Sequence, residues 1–189
     1  MFHIRAGYIS ETEKIVEHLG VRGVSRIGVL YQNNAFGKEG LAGVERAAEK
    51  NKLKLHTVTS INNDASDLEK AVSTLASAEV QTIILLTAGK PTIEFIKAFN
   101  KRSKNMQYFA MSVLAAQSAL NSLGQEGVGV IVSQVVPFPF SATSGIVRDY
   151  QKILGKAGIK DWSYASLEGF INAKIMVEAL KRCGKEINS

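Results

Sequence analysis

The chain has 189 residues, 46% of them hydrophobic, enough for one domain and part of a second around an ordinary core, which excludes a disordered or fibrous chain. Its longest apolar run, residues 82–88, falls far short of the roughly 18–20 residues that a bilayer span needs. The net charge of +6 is spread over Lys50/Lys52/Lys54, Lys97/Lys101/Arg102/Lys104 and Lys181/Arg182/Lys185, each interrupted by neutral residues, and so predicts solvated faces and no nucleic-acid partner.

Helical period begins over residues 11–19, where Ile15, Val16 and Leu19 share a face and Ser10 is placed to cap. Residues 26–31 (RIGVLY) read as a buried strand, and residues 37–50 as a helix with a stripe of Leu41, Val44, Ala47 and Ala48. The alternation over residues 54–59 suits a second strand. The cycle continues with helix 66–76, strand 82–87, helix 92–101, strand 108–111, a helix near 115–123 and strand 128–133. Five strands alternating with helices predict an α/β fold, an open, largely parallel sheet with helices on both faces, because right-handed crossovers lay each helix across the sheet.

Past Val136 the pattern breaks at Pro137-Phe138-Pro139-Phe140-Ser141, whose prolines cannot donate backbone hydrogen bonds; a linker or crossover is expected there. Helices follow over residues 143–154 and 164–182. The second carries Leu167, Phe170, Ile171, Ile175, Val177 and Leu180 with no strand after it, so it should expose an apolar face and favour self-association. Cys183, in its last turn, is the single cysteine and is expected to be a part-buried, inert residue. Residues 1–8 show neither the basic start nor the apolar stretch of a secretory signal, so no export address is expected in this segment.

Gly37, Gly40 and Gly43 follow the first strand, but their G-x-x-G-x-x-G spacing is neither a dinucleotide fingerprint nor a phosphate loop. With Ala42 they read as a small-residue face that lets the helix approach the sheet. His3, His18 and His56 lie in separate elements without ligand spacing, so neither a metal nor a cofactor is expected, and His56 reads as a hydrogen-bonded strand residue. No serine sits on a G-x-S-x-G turn, and Asn62-Asn63-Asp64 lacks the closing glutamate of a calcium loop, leaving a turn and helix entry. Without such groups, an oxidoreductase or hydrolase is disfavoured and no catalysis is expected. What remains is the geometry of an open parallel sheet, which binds ligands outside the carboxyl ends of its strands. Those ends are residues 32–36, 60–64, 87–90, 112–114 and 134–140, a set suited to a small polar or zwitterionic ligand.

Residues 31–44 (YQNNAFGKEGLAGV) resemble the Y-x-x-x-x-F/Y-G-x-x-G strand, loop and helix of the leucine-binding protein family, the periplasmic receptors of branched-chain amino acid type ABC importers. Residues 64–68 (DASDL) resemble its D-x-S/T-x-L/V helix entry, residues 128–137 (VGVIVSQVVP) its G-V-V-V-S-Q-V-V-P strand and crossover, and residues 164–170 (YASLEGF) its S-Y-x-x-L-E-G-Y/F helix. Arg5-Ala6-Gly7-Tyr8 resembles the family's first crossover into its second lobe. The similarity runs over residues 2–187.

The resemblance implies a type I periplasmic-binding-protein fold of two lobes closing on an amino acid or related small molecule. It further implies a membrane permease as partner and a periplasmic location for the full-length protein. It divides the chain into a crossover segment (1–8), the second ligand-binding lobe (9–135), a crossover (136–142) and a helical return (143–189) toward a first lobe that is largely lacking. The ligand contacts it implies fall on Phe36, on Ala88 or Gly89 with Thr87 beside them, and on Ser112. Ser112 is no carboxylate, which points away from a branched-chain amino acid. The alternative the fold allows is a ligand-sensing domain of a receptor or regulator.

Overall fold

The computed structural model describes residues 4–103, 105–115 and 117–183; His3, Lys104 and Lys185 lie outside the described residues. The chain forms two compact units, Ala6–Gln134 and a second that joins Met1–Arg5 to Val135–Ser189.

The first unit is built on five parallel strands, β1 (Ile27–Gln32), β2 (Leu55–Ile61), β3 (Thr82–Leu86), β4 (Gln107–Ala110) and β5 (Val130–Val132), in the order β2-β1-β3-β4-β5. Every residue of β3 is buried, as a central parallel strand covered on both faces requires, and this is why its sequence is an unbroken apolar run. At the edge, β2 alternates half-buried Leu55, Thr57 and Thr59 with exposed His56 and Val58. The helices are α1 (Tyr8–Val21), α2 (Ala35–Lys50), α3 (Leu68–Ser77), α4 (Lys90–Arg102) and α5 (Gln117–Leu123). On one face of the sheet, Ile15, Val16 and Leu19 of α1 and Val44 and Ala47 of α2 pack with Val29, Ile84 and Phe109. On the other, Val72 and Leu75 of α3 and Phe95, Ile96 and Phe99 of α4 pack with Leu30, Ile83 and Leu85. The expected α/β architecture, a parallel sheet with helices on both faces, is therefore present.

In the second unit, α6 (Gly145–Lys156) and α7 (Tyr164–Cys183) share a small core of Val147, Tyr150 and Leu167. Residues 172–183 of α7 are exposed all round, Ile175, Met176, Val177 and Leu180 among them.

Several local expectations are corrected. Ser10 does not cap α1, which begins two residues earlier with Gly7 at its N-cap. Ala42 is exposed and takes no part in the close packing of α2, whereas Gly37, Gly40 and Gly43 do. Cys183 is exposed, as are the other residues in the last turns of α7. The ring of His56 faces outward from the edge strand and has no hydrogen-bond partner among the described residues.

Between α4 and β4 the Tyr108 hydroxyl donates to Asn100 Oδ1 at 2.7 Å. Burial pushes this phenol well above the usual tyrosine range, and the charge of Glu126 pushes it further. The folded state thus holds the proton more tightly than the unfolded chain does. The stability this contributes is complete below about pH 10 and is lost as the pH climbs beyond that. Urea denaturation across the alkaline range should show the fall in the native protein and a shallower one in Tyr108→Phe; equal slopes would count against it.

Candidate functional site

Because all five strands run parallel, the loops that leave their carboxyl ends gather along one edge of the sheet. From β1 the chain crosses to β2 on one side and later returns to β3 on the other. The sheet therefore changes winding direction between β1 and β3, the kind of place where open parallel sheets generally bind ligands.

Gln32, the last residue of β1, stands at this point and is buried. Its Oε1 accepts the backbone N–H of Ala88 from the loop after β3 at 3.0 Å, and its Nε2 donates to Asn63 Oδ1 in the loop after β2 at 2.7 Å. One side chain thus ties the end of β1 to the loops after β2 and β3. Asn34, the N-cap of α2, accepts the Gly37 N–H on Oδ1 at 2.9 Å and donates from Nδ2 to the same Asn63 oxygen at 2.9 Å. Its backbone neighbour Asn33 donates to the Ile61 carbonyl at 2.8 Å, closing the β1 and β2 loops against each other.

The residues singled out from sequence are distributed along this same edge. Phe36 lies in the first turn of α2, half-buried, with its ring edge-to-face on Tyr8 at 4.8 Å. Ala88 is half-buried and Gly89 exposed, and Gly89 supplies the positive φ of 64° at the N-cap of α4 that a side chain would strain. Thr87 is fully buried, its hydroxyl paired with that of Thr92 at 2.7 Å, so it anchors the loop to α4 from beneath. Ser112, after β4, is buried and engaged with Glu11.

Glu11 was not singled out from sequence, and its carboxylate accepts hydrogen bonds from two different loops. Its side chain is 4% exposed; it accepts the Ser112 N–H at 2.9 Å, the Ser112 hydroxyl at 2.9 Å and the Ser133 hydroxyl at 2.7 Å. It therefore binds the start of α1 to the loops after β4 and β5. The signal was its position one turn before Ile15 and two before Leu19, on the apolar face of α1. Gln32 and Asn63 were also passed over as individuals, although both fall within the strand-end segments read as ligand-facing.

Asp64, next to Asn63, turns back on its own loop. The Ser66 backbone N–H and hydroxyl hold its carboxyl below the usual carboxylate range, with a smaller contribution from the charge of Lys90. Lys90 is also 3.6 Å from Glu94. Among the described residues no cluster of three or more His, Cys, Asp or Glu could hold a metal ion, and no helix is long and apolar enough to cross a membrane.

A family model described as periplasmic binding protein matches residues 1–189. Among solved structures, a substrate-binding periplasmic protein from Ralstonia solanacearum is 31% identical with a TM-score of 0.83, the match covering 98% of this chain and 53% of that one. An extracellular ligand-binding receptor from Verminephrobacter eiseniae is 27% identical with a TM-score of 0.83, covering 99% and 54%. A possible leucine/isoleucine/valine-binding protein from Rhodopirellula baltica is 26% identical with a TM-score of 0.84, covering 96% and 51%. The chain spans about half the length of these structures. No curated protein sequence matches it.

Proposed function

The chain belongs to the periplasmic binding protein family, and on that premise we propose that it is the ligand-binding portion of a solute receptor for an ABC importer. It takes an amino acid or a related small acid at the carboxyl edge of its sheet and hands it on without chemical change. Residues 9–135 serve as one lobe of a two-lobed receptor, residues 1–8 and 136–142 as crossovers, and residues 143–189 as part of the other lobe. The membrane permease of the importer is the partner and the periplasm the place of action.

The observation that supports this most is the tie at Gln32 between the ends of three strands, placed where the sheet reverses its winding. It leaves Phe36 and the Ala88-Gly89 loop on one rigid rim, which suits capture of a preformed small molecule better than catalysis. One neighbour described as an extracellular ligand-binding receptor and another as a possible leucine/isoleucine/valine-binding protein support the ligand class.

A receptor of this kind gains affinity by enclosing its ligand between lobes. If the opposing lobe supplies two charge-assisted hydrogen bonds at about 1.5–3 kcal/mol each, a single lobe is weaker by roughly 3–6 kcal/mol. A micromolar receptor then becomes about a millimolar one. Titration calorimetry of the 189-residue chain against the twenty amino acids and small aromatic acids should show millimolar binding of at least one. A micromolar constant would refute the two-lobe account, and no heat from any compound at high concentration would refute the ligand class.

A further inference from the structure

We propose that the side-chain amide of Asn63 is a fixed hydrogen-bond donor for the carboxylate of the ligand, held in that orientation by Gln32 and Asn34. The inference rests on the reading of this edge as a binding site for small acids and names the residue that would select them.

The two oxygen- and nitrogen-bearing ends of a carboxamide are nearly isosteric, so the way each one points follows from its partners. A backbone N–H can only donate. The Ala88 N–H therefore sets the Gln32 oxygen toward the β3 loop, which sends the Gln32 Nε2 donor toward Asn63. Independently, the Gly37 N–H sets the Asn34 oxygen toward α2, which sends the Asn34 Nδ2 donor toward Asn63 as well. Two donors converge on one atom, Asn63 Oδ1, at 2.7 and 2.9 Å. Turning the Asn63 amide over would bring its own N–H groups against both. Its Nδ2 is thus held on the side away from the two partners, on an exposed residue of the loop after β2.

The carboxylates nearest in sequence are bonded within their own loop. Asp64 is the closest carboxylate in sequence and stays ionised, but its oxygen is committed to the Ser66 N–H at 3.0 Å, and the positive charge of Lys90 offsets part of its own. Asp67 accepts the Asn62 N–H at 2.8 Å and so is also turned into the loop. The outward group of the relay is a neutral donor of defined direction, which suits a carboxylate and offers nothing to an ammonium.

The test compares amino acids with their carboxamides: L-alanine, L-leucine and L-phenylalanine against L-alaninamide, L-leucinamide and L-phenylalaninamide, each added to the 15N-labelled 189-residue chain. For the acid that binds, the Asn63 side-chain NH2 signals should move together with the backbone signals of Phe36, Ala88 and Gly89, and the amide should bind about tenfold more weakly or worse. Asn63→Asp keeps both accepted hydrogen bonds but replaces the outward donor with an acceptor, and Asn63→Ala removes the donor without adding charge. Both should lose the preference for acid over amide, and Asn63→Asp should leave the thermal midpoint unchanged. If an acid moves the Phe36, Ala88 and Gly89 signals while the Asn63 NH2 stays still, or if Asn63→Ala retains the acid preference, the inference is wrong and the binding reading stands. If the acid that binds in the calorimetric panel moves no signal at this edge, both fall.

Discussion

Substituting alanine for Gly37 should lower the stability of the sheet-bearing unit by about 3 kcal/mol or more, at or above the upper end of ordinary overpacking. A Cβ on this residue would stand 2.0 Å from the Gln32 carbonyl oxygen and 2.6 Å from its nitrogen. Both are backbone atoms of a buried central strand, so neither can swing aside as the end of a side chain could. The first turn of α2 would have to lift from β1, loosening the Asn34 cap and the Gln32 tie with it. Gly40 provides the comparison, because its Cβ would meet Leu86 Cδ2 at 3.3 Å and Met111 Sδ at 3.5 Å, both side-chain ends that can yield. Gly40→Ala is expected to cost about 1 kcal/mol. Urea denaturation of both variants would decide the matter, and a Gly37→Ala midpoint equal to that of Gly40→Ala would overturn the argument.

Removing the Glu11 carboxylate should be comparably damaging. Glu11→Ala leaves the Ser112 N–H, the Ser112 hydroxyl and the Ser133 hydroxyl without the acceptor they share, two of these contacts being fully buried. An orphaned buried polar group costs about 1–3 kcal/mol, and the hydroxyls can find other partners more readily than the amide, so a loss of about 3 kcal/mol is expected. A double-mutant cycle with Ser112→Ala should return a coupling well above the roughly 0.5 kcal/mol seen for independent sites. Additive losses would mean that Glu11 acts by filling space and not through these bonds.

Much of this fold is legible in the sequence, and the physical reason differs from element to element. β1 and β3 stand out because central parallel strands are buried on both faces and must be apolar throughout. Helix starts are displaced from the expected positions: α1 starts at Tyr8 from Gly7, and α2 starts at Ala35 because the Asn34 side chain caps it by accepting the Gly37 N–H. The carboxyl edge of the sheet follows from strand direction alone, so Phe36, Ala88, Gly89 and Ser112 could be placed along it without knowing any contact. Gln32, Asn63 and Glu11 could not be given roles in this way. Their roles come from hydrogen bonds between residues distant in the chain, and periodicity carries no information about which loop a polar side chain will meet.

The Glu11 tie has a bearing on time as well as on stability. It joins residues 101 and 122 positions apart, whereas each strand-helix-strand step of the sheet closes over a few tens of residues. A contact that must wait for so long a loop to close is unlike those that build a folding nucleus, which are mostly local. Glu11 should therefore be bound only after the barrier is crossed, and its loss should leave the refolding rate nearly unchanged while quickening unfolding by about a hundredfold, the kinetic equivalent of the roughly 3 kcal/mol lost at equilibrium. Stopped-flow chevrons would show a shift confined to the unfolding limb. The residue that holds α1 to the last loops would then set how long the native state lasts and have little influence on how quickly it forms.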